Sequence, residues 1–217
     1  MELPGDPSNI AVLVAAFPAR LADDVQSVLK VMPEARHAPV GLFEIEVQGE
    51  TVAIPARLYN EEPAVGSERS LTGTQQVILH CLYSRHHDGH VRQRRLQRVV
   101  ASSEPWVVPF VMQPAGEYVL EILHVIASGL AELTVPGSAQ SRRYGEFITR
   151  NPAFFARTER RVVSYWSAYY RWKYPVFGTY PGCALLDAFR SAASHHTGTR
   201  WPRNTPSSLA GRVDGFV

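Results

Sequence analysis

Apolar residues follow two different periods along this chain, and the change comes near residue 71. Residues 22–35, "ADDVQSVLKVMPEA", carry acids at the start and Pro33 near the end, which predicts a short helix. The stretch "VGLFEIEVQGETVAIPARLY" then alternates: Phe43, Ile45 and Val47, and after the break at Gly49–Glu50, Val52 and Ile54. Period two with Gln48–Gly49 between the arms predicts a β-hairpin over 41–58. "NEEPAVGSER" (60–69) reads as a linker.

Beyond Leu71 the strand signal is gone. Thr72 is a candidate N-cap for a helix running to His87; Gly89 breaks it, and "HVRQRRLQRVVAS" resumes as a second helix. Residues 115–133 are strongly amphipathic, with Tyr118, Val119, Ile122, Leu123, Ile126 and Leu130 on one face and Glu117, Glu121, His124 and Ser128 on the other. "VPGSAQS" reads as a loop. Residues 151–173 predict a long helix capped by Asn151, with Pro152 in its first turn and a core stripe of Phe155, Val162, Trp166 and Tyr169. "CALLDAFRSAA" (183–193) is a last short helix.

The expected architecture is mainly α, with stacked antiparallel helical hairpins and a small β-hairpin near the N-terminus. Residues 1–70 form an N-terminal helix and hairpin appendage, with 1–9 as a frayed leader. Residues 71–193 form a helical domain, and 194–217 a poorly packed tail.

Composition narrows the class without naming a function. Of 217 residues, 45% are apolar and 19% charged, an ordinary globular balance. No run of about 18 apolar residues suggests a membrane span, and the N-terminus lacks the basic region of a secretory signal, so the cytoplasm is the expected location. Cys81 and Cys183 sit in apolar company and read as two buried thiols. Charge is divided: residues 1–70 hold five Lys/Arg against eleven Asp/Glu, and residues 71–217 seventeen against nine. An anionic partner for the later part, or attraction between the two parts, would each account for this. Twenty of the 22 cations are arginine, spread along the whole chain, so arginine abundance alone says little about nucleic acid.

The stretch "RHHDGHVRQRRLQRVV" (85–100) concentrates the candidate chemistry. Its "DGHVRQRRLQRVV" resembles the second helix of a HEAT-type repeat, in which an aspartate precedes a Val–Arg pair. The resemblance covers about residues 72–101. It implies that Asp88 caps, Val91 enters the core and Arg92 takes the arginine position, in a fold of stacked helical hairpins; Arg94 and Arg95 stand where such repeats carry small residues. The helical wheel turns Arg92 and Arg95 inward with Val91, Leu96, Val99 and Val100, and an inward arginine needs a carboxylate. Glu117 and Glu121 are the expected partners, making a structural network of Arg92, Arg95, Glu117 and Glu121.

Two metal patterns are present. The "HHD" of His86, His87 and Asp88 contains a His–Asp pair similar to that of HD-type phosphohydrolases, and Glu121 with His124 has the E-x-x-H spacing of di-iron bundles. The first would need His37, in a proline-flanked loop, and Asp187 as companions, and the second has Glu34 with His37, crowded by Pro33 and Pro39, as its only other pair; a polar interhelix turn explains the histidines as well. There is no G-x-S-x-G and no glycine-rich phosphate loop. No catalytic residue or cofactor is expected.

Residues 162–182 hold eight aromatics with Arg171 and Lys173 among them. If the Phe155–Val162–Trp166–Tyr169 stripe is core, then Arg161, Tyr165 and Trp172 are left as an exposed interaction surface. The expected function is a non-catalytic scaffold that binds another protein. The alternative is nucleic-acid binding through residues 85–98 and 142–173, which together hold thirteen cations against three acids. A metal-dependent hydrolase using His87 and Asp88 is the third reading. No membrane partner is expected, and the sequence leaves the oligomeric state open.

Overall fold

The computed structural model describes residues 7–206. The chain is mainly helical with one two-stranded antiparallel sheet near its N-terminus. It divides into two compact units, Met1–Val111 and Met112–Val217, so the boundary expected at 70 falls inside the first unit.

The first unit begins with α1 (Pro7–Val14) and α2 (Ala22–Leu29), followed by β1 (Val40–Val47) and β2 (Glu50–Arg57). Helix α1 takes in part of the expected 1–9 leader; residues 1–6 lie outside the described residues. The hairpin follows the alternation, with Phe43 paired to Ile54, Ile45 to Val52 and Val47 to Glu50. Gln48 and Gly49 have φ of 55° and 86°, the two left-handed residues of a tight two-residue turn. Phe43, Ile45, Val47, Val52 and Ile54 are buried. The Ala53 N–H donates to the Ala15 carbonyl, so α1 covers the outer side of β2.

Helices α3 (Gly73–Tyr83) and α4 (Gly89–Val99) pack as a hairpin. Thr72 and Gln75 cap α3 reciprocally, and the Asp88 carboxylate accepts from the His90 N–H at the start of α4. Gln75 also donates to Asp24, tying α3 to α2. Phe17 stacks on Phe110 and meets Trp106 edge-on in this unit's core. The boundary between the units falls at the end of α5 (Val108–Met112).

The second unit holds α6 (Leu120–Gly129), α7 (Ala139–Arg150), α8 (Pro152–Tyr165) and α9 (Pro181–Thr197). Helix α7, capped by Ser138, begins within the last three residues of the expected 135–141 loop and packs along α9. Its core face is Ser141, Tyr144, Gly145, Phe147 and Ile148, with Tyr144 stacked on Phe189. The helix expected from 115 starts only at Leu120, because Gln113–Gly116 forms a separate 3-10 turn. Tyr118 therefore lies ahead of α6 and is exposed, while Ile122, Leu123, Ile126 and Leu130 are buried as expected.

Asn151 does not cap α8 with its side chain; its amide donates back to the Phe147 carbonyl. Helix α9 runs four residues past the expected 193. Residues 201–205 are not a loose tail: the Trp201 N–H donates to Ser194, Asn204 to Glu159, and Thr205 accepts from Arg190. The rest of the expected tail, 207–217, lies outside the described residues.

Candidate functional site

Helix α8 does not stop at Tyr165. It continues through Trp166–Tyr170 as a π-helical turn, which holds more residues per turn than an α-helix. The register of everything after it is thereby rotated. Phe155, Val162 and Trp166 are buried as the stripe predicts, but Tyr169, one turn later, is 57% exposed.

The result is an aromatic ledge. Tyr118, Tyr165 and Tyr169 form a triangle with ring centroids 5.7, 6.0 and 6.0 Å apart. The Arg161 guanidinium lies 5.8 Å from the Tyr165 ring centre, and its Nε donates to the Gly116 carbonyl at 2.9 Å. Gly116 makes room for this arginine, since a Cβ there would stand 3.2 Å from the Arg161 Cβ. The Tyr170 hydroxyl donates to the Tyr118 carbonyl, and burial raises its pKa, with Glu121, Tyr174 and Tyr118 adding to the effect. Trp172 Nε1 donates to the Tyr169 carbonyl at 2.9 Å, which fixes the indole while leaving Trp172 81% exposed.

The expected surface residues Arg161, Tyr165 and Trp172 thus share one region, with Arg161 and Tyr165 half-buried and in contact. Tyr118 and Tyr169 belong to it as well. The sequence assigned both to the core, and neither the late start of α6 nor the π turn leaves a readable signal. The segment 174–182 folds back on Trp166 instead of Trp172: Trp166 Nε1 donates to the Tyr174 carbonyl, and Phe177 meets the Trp166 ring at 5.1 Å.

The expected arginine network is corrected for Arg95 and Glu121. Arg95 is paired with Glu62 at 2.9 Å and Glu68 at 2.8 Å, both from the segment read as a linker. Three acids at 61, 62 and 68 ahead of a basic helix were the available signal. Glu121 is exposed and makes no ion pair among the described residues. Arg92 is 2% exposed, inward as expected, and Nη1 donates to the His86 and His87 carbonyls at 2.8 Å each. Glu117, placed on the outer face of a helix by its spacing, is instead buried ahead of α6.

That arginine staple accounts for the histidine-rich turn. His86 is buried, not solvent-facing; the Asp88 N–H donates to its Nδ1 at 3.0 Å, leaving the proton on Nε2 to reach the Asn60 carbonyl at 2.9 Å. Burial and the neighbouring His87 hold its pKa below the ordinary value. Both ring nitrogens are committed, so His86 has no lone pair for a metal. His87 and His90 are exposed, and no group of three or more His, Cys, Asp or Glu among the described residues is placed to hold a metal ion.

His80, beside Arg95, is the most displaced histidine. Burial first, then Arg95, lowers its pKa to about 4, with Glu68 opposing and Arg98 adding slightly. Its folded pKa lies below the unfolded value. Between pH 6.5 and 4 the unfolded chain therefore takes up a proton that the folded chain refuses, and stability falls with pH through that window and no further below it. Solvent reaching the ring edge limits the loss to roughly 1–2 kcal/mol. Urea midpoints at pH 7 and pH 4.5 should shift less in His80→Gln than in the wild type; equal shifts would show that His80 is not responsible.

The first unit also contains a hollow of about 520 Å³, lined mainly by Ile10, Leu13, Leu29, Met32 and Pro33, with Asn60 beside it. The Asn60 amide donates to the Pro33 carbonyl. Gln26, Lys30 and Glu34 are its polar lining residues besides Asn9 and Asn60.

Comparison with known proteins adds no relative: no family model, no curated protein and no solved structure matches the chain.

Proposed function

We propose that this chain is a non-catalytic helical binding module whose second unit holds a partner protein on the aromatic ledge. The observation that carries this reading is the exposure of Tyr169 (57%) and Tyr118 (48%) in one ring cluster with the Arg161-bound Tyr165, with Trp172 (81%) bonded to the Tyr169 carbonyl. Tryptophan, tyrosine and arginine are the residues most enriched at binding hot spots. The Trp172 indole, held by its hydrogen bond to the Tyr169 carbonyl, also loses little freedom when a partner covers it.

The first unit supplies the scaffold. A HEAT-like reading of the α3–α4 hairpin is supported by Asp88 at the cap, Val91 in the core and the buried Arg92. A reducing compartment such as the cytoplasm suits two buried free thiols, Cys81 and Cys183. No described helix is long and apolar enough to cross a membrane.

One observation favours nucleic acid as the second reading. Arg157, Arg160 and Arg171 are exposed, and none of them is paired with a carboxylate among the described residues. Salt separates the two readings. Binding of a single strand through three phosphates would fall with a log–log salt slope of about −2, whereas a partner gripped by the rings would be nearly salt-insensitive. Capture from the source cell should survive nuclease and raised salt. Capture abolished by nuclease would move the assignment to nucleic acid.

A further inference from the structure

The hairpin has one covered edge and one open edge, and the turn geometry decides which backbone groups face each. In a two-residue turn the flanking residues, here Val47 and Glu50, exchange hydrogen bonds with each other. Counting back by twos, Ile45 with Val52 and Phe43 with Ile54 are also bonded pairs. The N–H and C=O groups of Leu42 and Glu44 on β1, and of Ala53 and Pro55 on β2, must then point outward. Two features agree with this count. The Ala53 N–H does bond outward, to Ala15. Pro55, which has no N–H to give, occupies an outward position where none is needed.

On β1 the outward groups of Leu42 and Glu44 meet no partner among the described residues. The edge is exposed in its side chains too: Val40 is 46% and Leu42 52% accessible, and Glu44 is exposed. At Gly41 the chain turns with φ of 69°, and a Cβ there would stand 3.0 Å from the Ala56 Cβ. This kink ends the straight edge at Leu42, so the usable template is short and centres on Leu42 and Glu44.

We infer that the outer edge of β1 accepts an extended, lysine- or arginine-bearing segment of another protein as a third strand. Backbone hydrogen bonds to Leu42 and Glu44 would supply the pairing, and a cation opposite Glu44 the selection. A second copy of this chain fits poorly. The antiparallel register with the greatest overlap sets Glu44 opposite Glu44 of the copy, and like charges directly opposite are destabilising. Acidic residues on an open edge commonly guard against such self-pairing. Here the same charge that repels a copy attracts a cationic strand, and a third strand would relieve a hairpin otherwise limited to two.

The test uses the full chain and a labelled octapeptide of alternating lysine and valine. The peptide should bind, and it should slow hydrogen exchange at the Leu42 and Glu44 amides while leaving those of Phe43 and Ile45 as they were. Glu44→Lys should weaken this peptide by about tenfold or more and favour an alternating glutamate–valine peptide instead. N-methylation of alternate peptide amides should abolish binding, because it removes the donors without changing the charge. Three results would overturn the inference: equal binding by the N-methylated peptide, unchanged exchange at Leu42 and Glu44, or protection of those amides in the free chain that disappears on dilution. The last would mean that a second copy already occupies the edge.

Discussion

Replacing Arg190 by methionine should destabilise the protein by about 3–5 kcal/mol, because it strands a buried carboxylate. Glu159 on α8 is fully buried, and Arg190 on α9 reaches its Oε1 through Nε at 2.8 Å and Nη2 at 2.6 Å. The same guanidinium bonds Asp187 at 2.6 Å and Thr205 at 2.8 Å, and Asn204 donates to the other Glu159 oxygen at 3.1 Å. Arg203 also pairs with Asp187. One arginine therefore joins two helices and the segment after them. Without it, Glu159 keeps only the Asn204 amide among the described residues. The double variant Arg190→Met/Glu159→Met removes both charges and should recover much of the loss, as buried pairs replaced by apolar side chains often do. Denaturant midpoints of the two variants decide it. If the single variant is no less stable than the double, Glu159 is not held by this arginine.

The second large effect concerns Gly145. Helices α7 and α9 approach so closely there that a Cβ would lie 2.4 Å from the Ala192 carbonyl oxygen and 2.8 Å from the His196 Cβ. The obstacle is backbone, which cannot rotate away. Gly145→Val should force the helices apart and cost about 3 kcal/mol or more, at the upper end of overpacking penalties. It should also expose the Tyr144–Phe189 stack. Thermal melts of Gly145→Val and of Gly137→Val would compare a packed glycine with an open one, since a Cβ at Gly137 meets nothing within 4 Å, although its φ of 76° still strains a side chain. Equal losses would mean that backbone conformation, and not helix contact, is what Gly145 provides.

Helix α7 also shows where the sequence stops being readable. Its inner face includes serine and glycine because α9 lies so near, and close approach favours small residues over the long apolar ones that a periodicity argument counts. The hairpin was legible for the opposite reason: its alternation and its Gln48–Gly49 turn are both local. Helix α3 was legible through its cap, where Thr72 and Gln75 bond each other.

The candidate site was legible in part. Arg161 and Tyr165, expected on one surface with Trp172, are in contact, and Trp172 is exposed. Tyr169 was assigned to the core by a strict 3.6-residue period that the π turn at Trp166–Tyr170 breaks. Such a turn depends on what the rings pack against, not on the identity of the residues within it. Likewise, the carboxylates for Arg95 came from Glu62 and Glu68, because a segment without periodicity can still be held by ion pairs.

Partner binding rests on the ledge. Its decisive measurement is the affinity of the partner captured from the source cell for the wild-type chain and for the variant carrying Tyr165→Ala and Trp172→Ala, each with its melting temperature recorded. Trp172 is 81% exposed and its ring touches no other ring among the described residues, so its removal should leave the fold intact; Tyr165 is half-buried and should cost little more. The account predicts a melting temperature within a few degrees of wild type and a loss of affinity of about thirtyfold or more, the 2 kcal/mol expected of a hot spot. A variant that keeps both its melting temperature and its wild-type affinity would contradict it, and the aromatic ledge would then be structural alone.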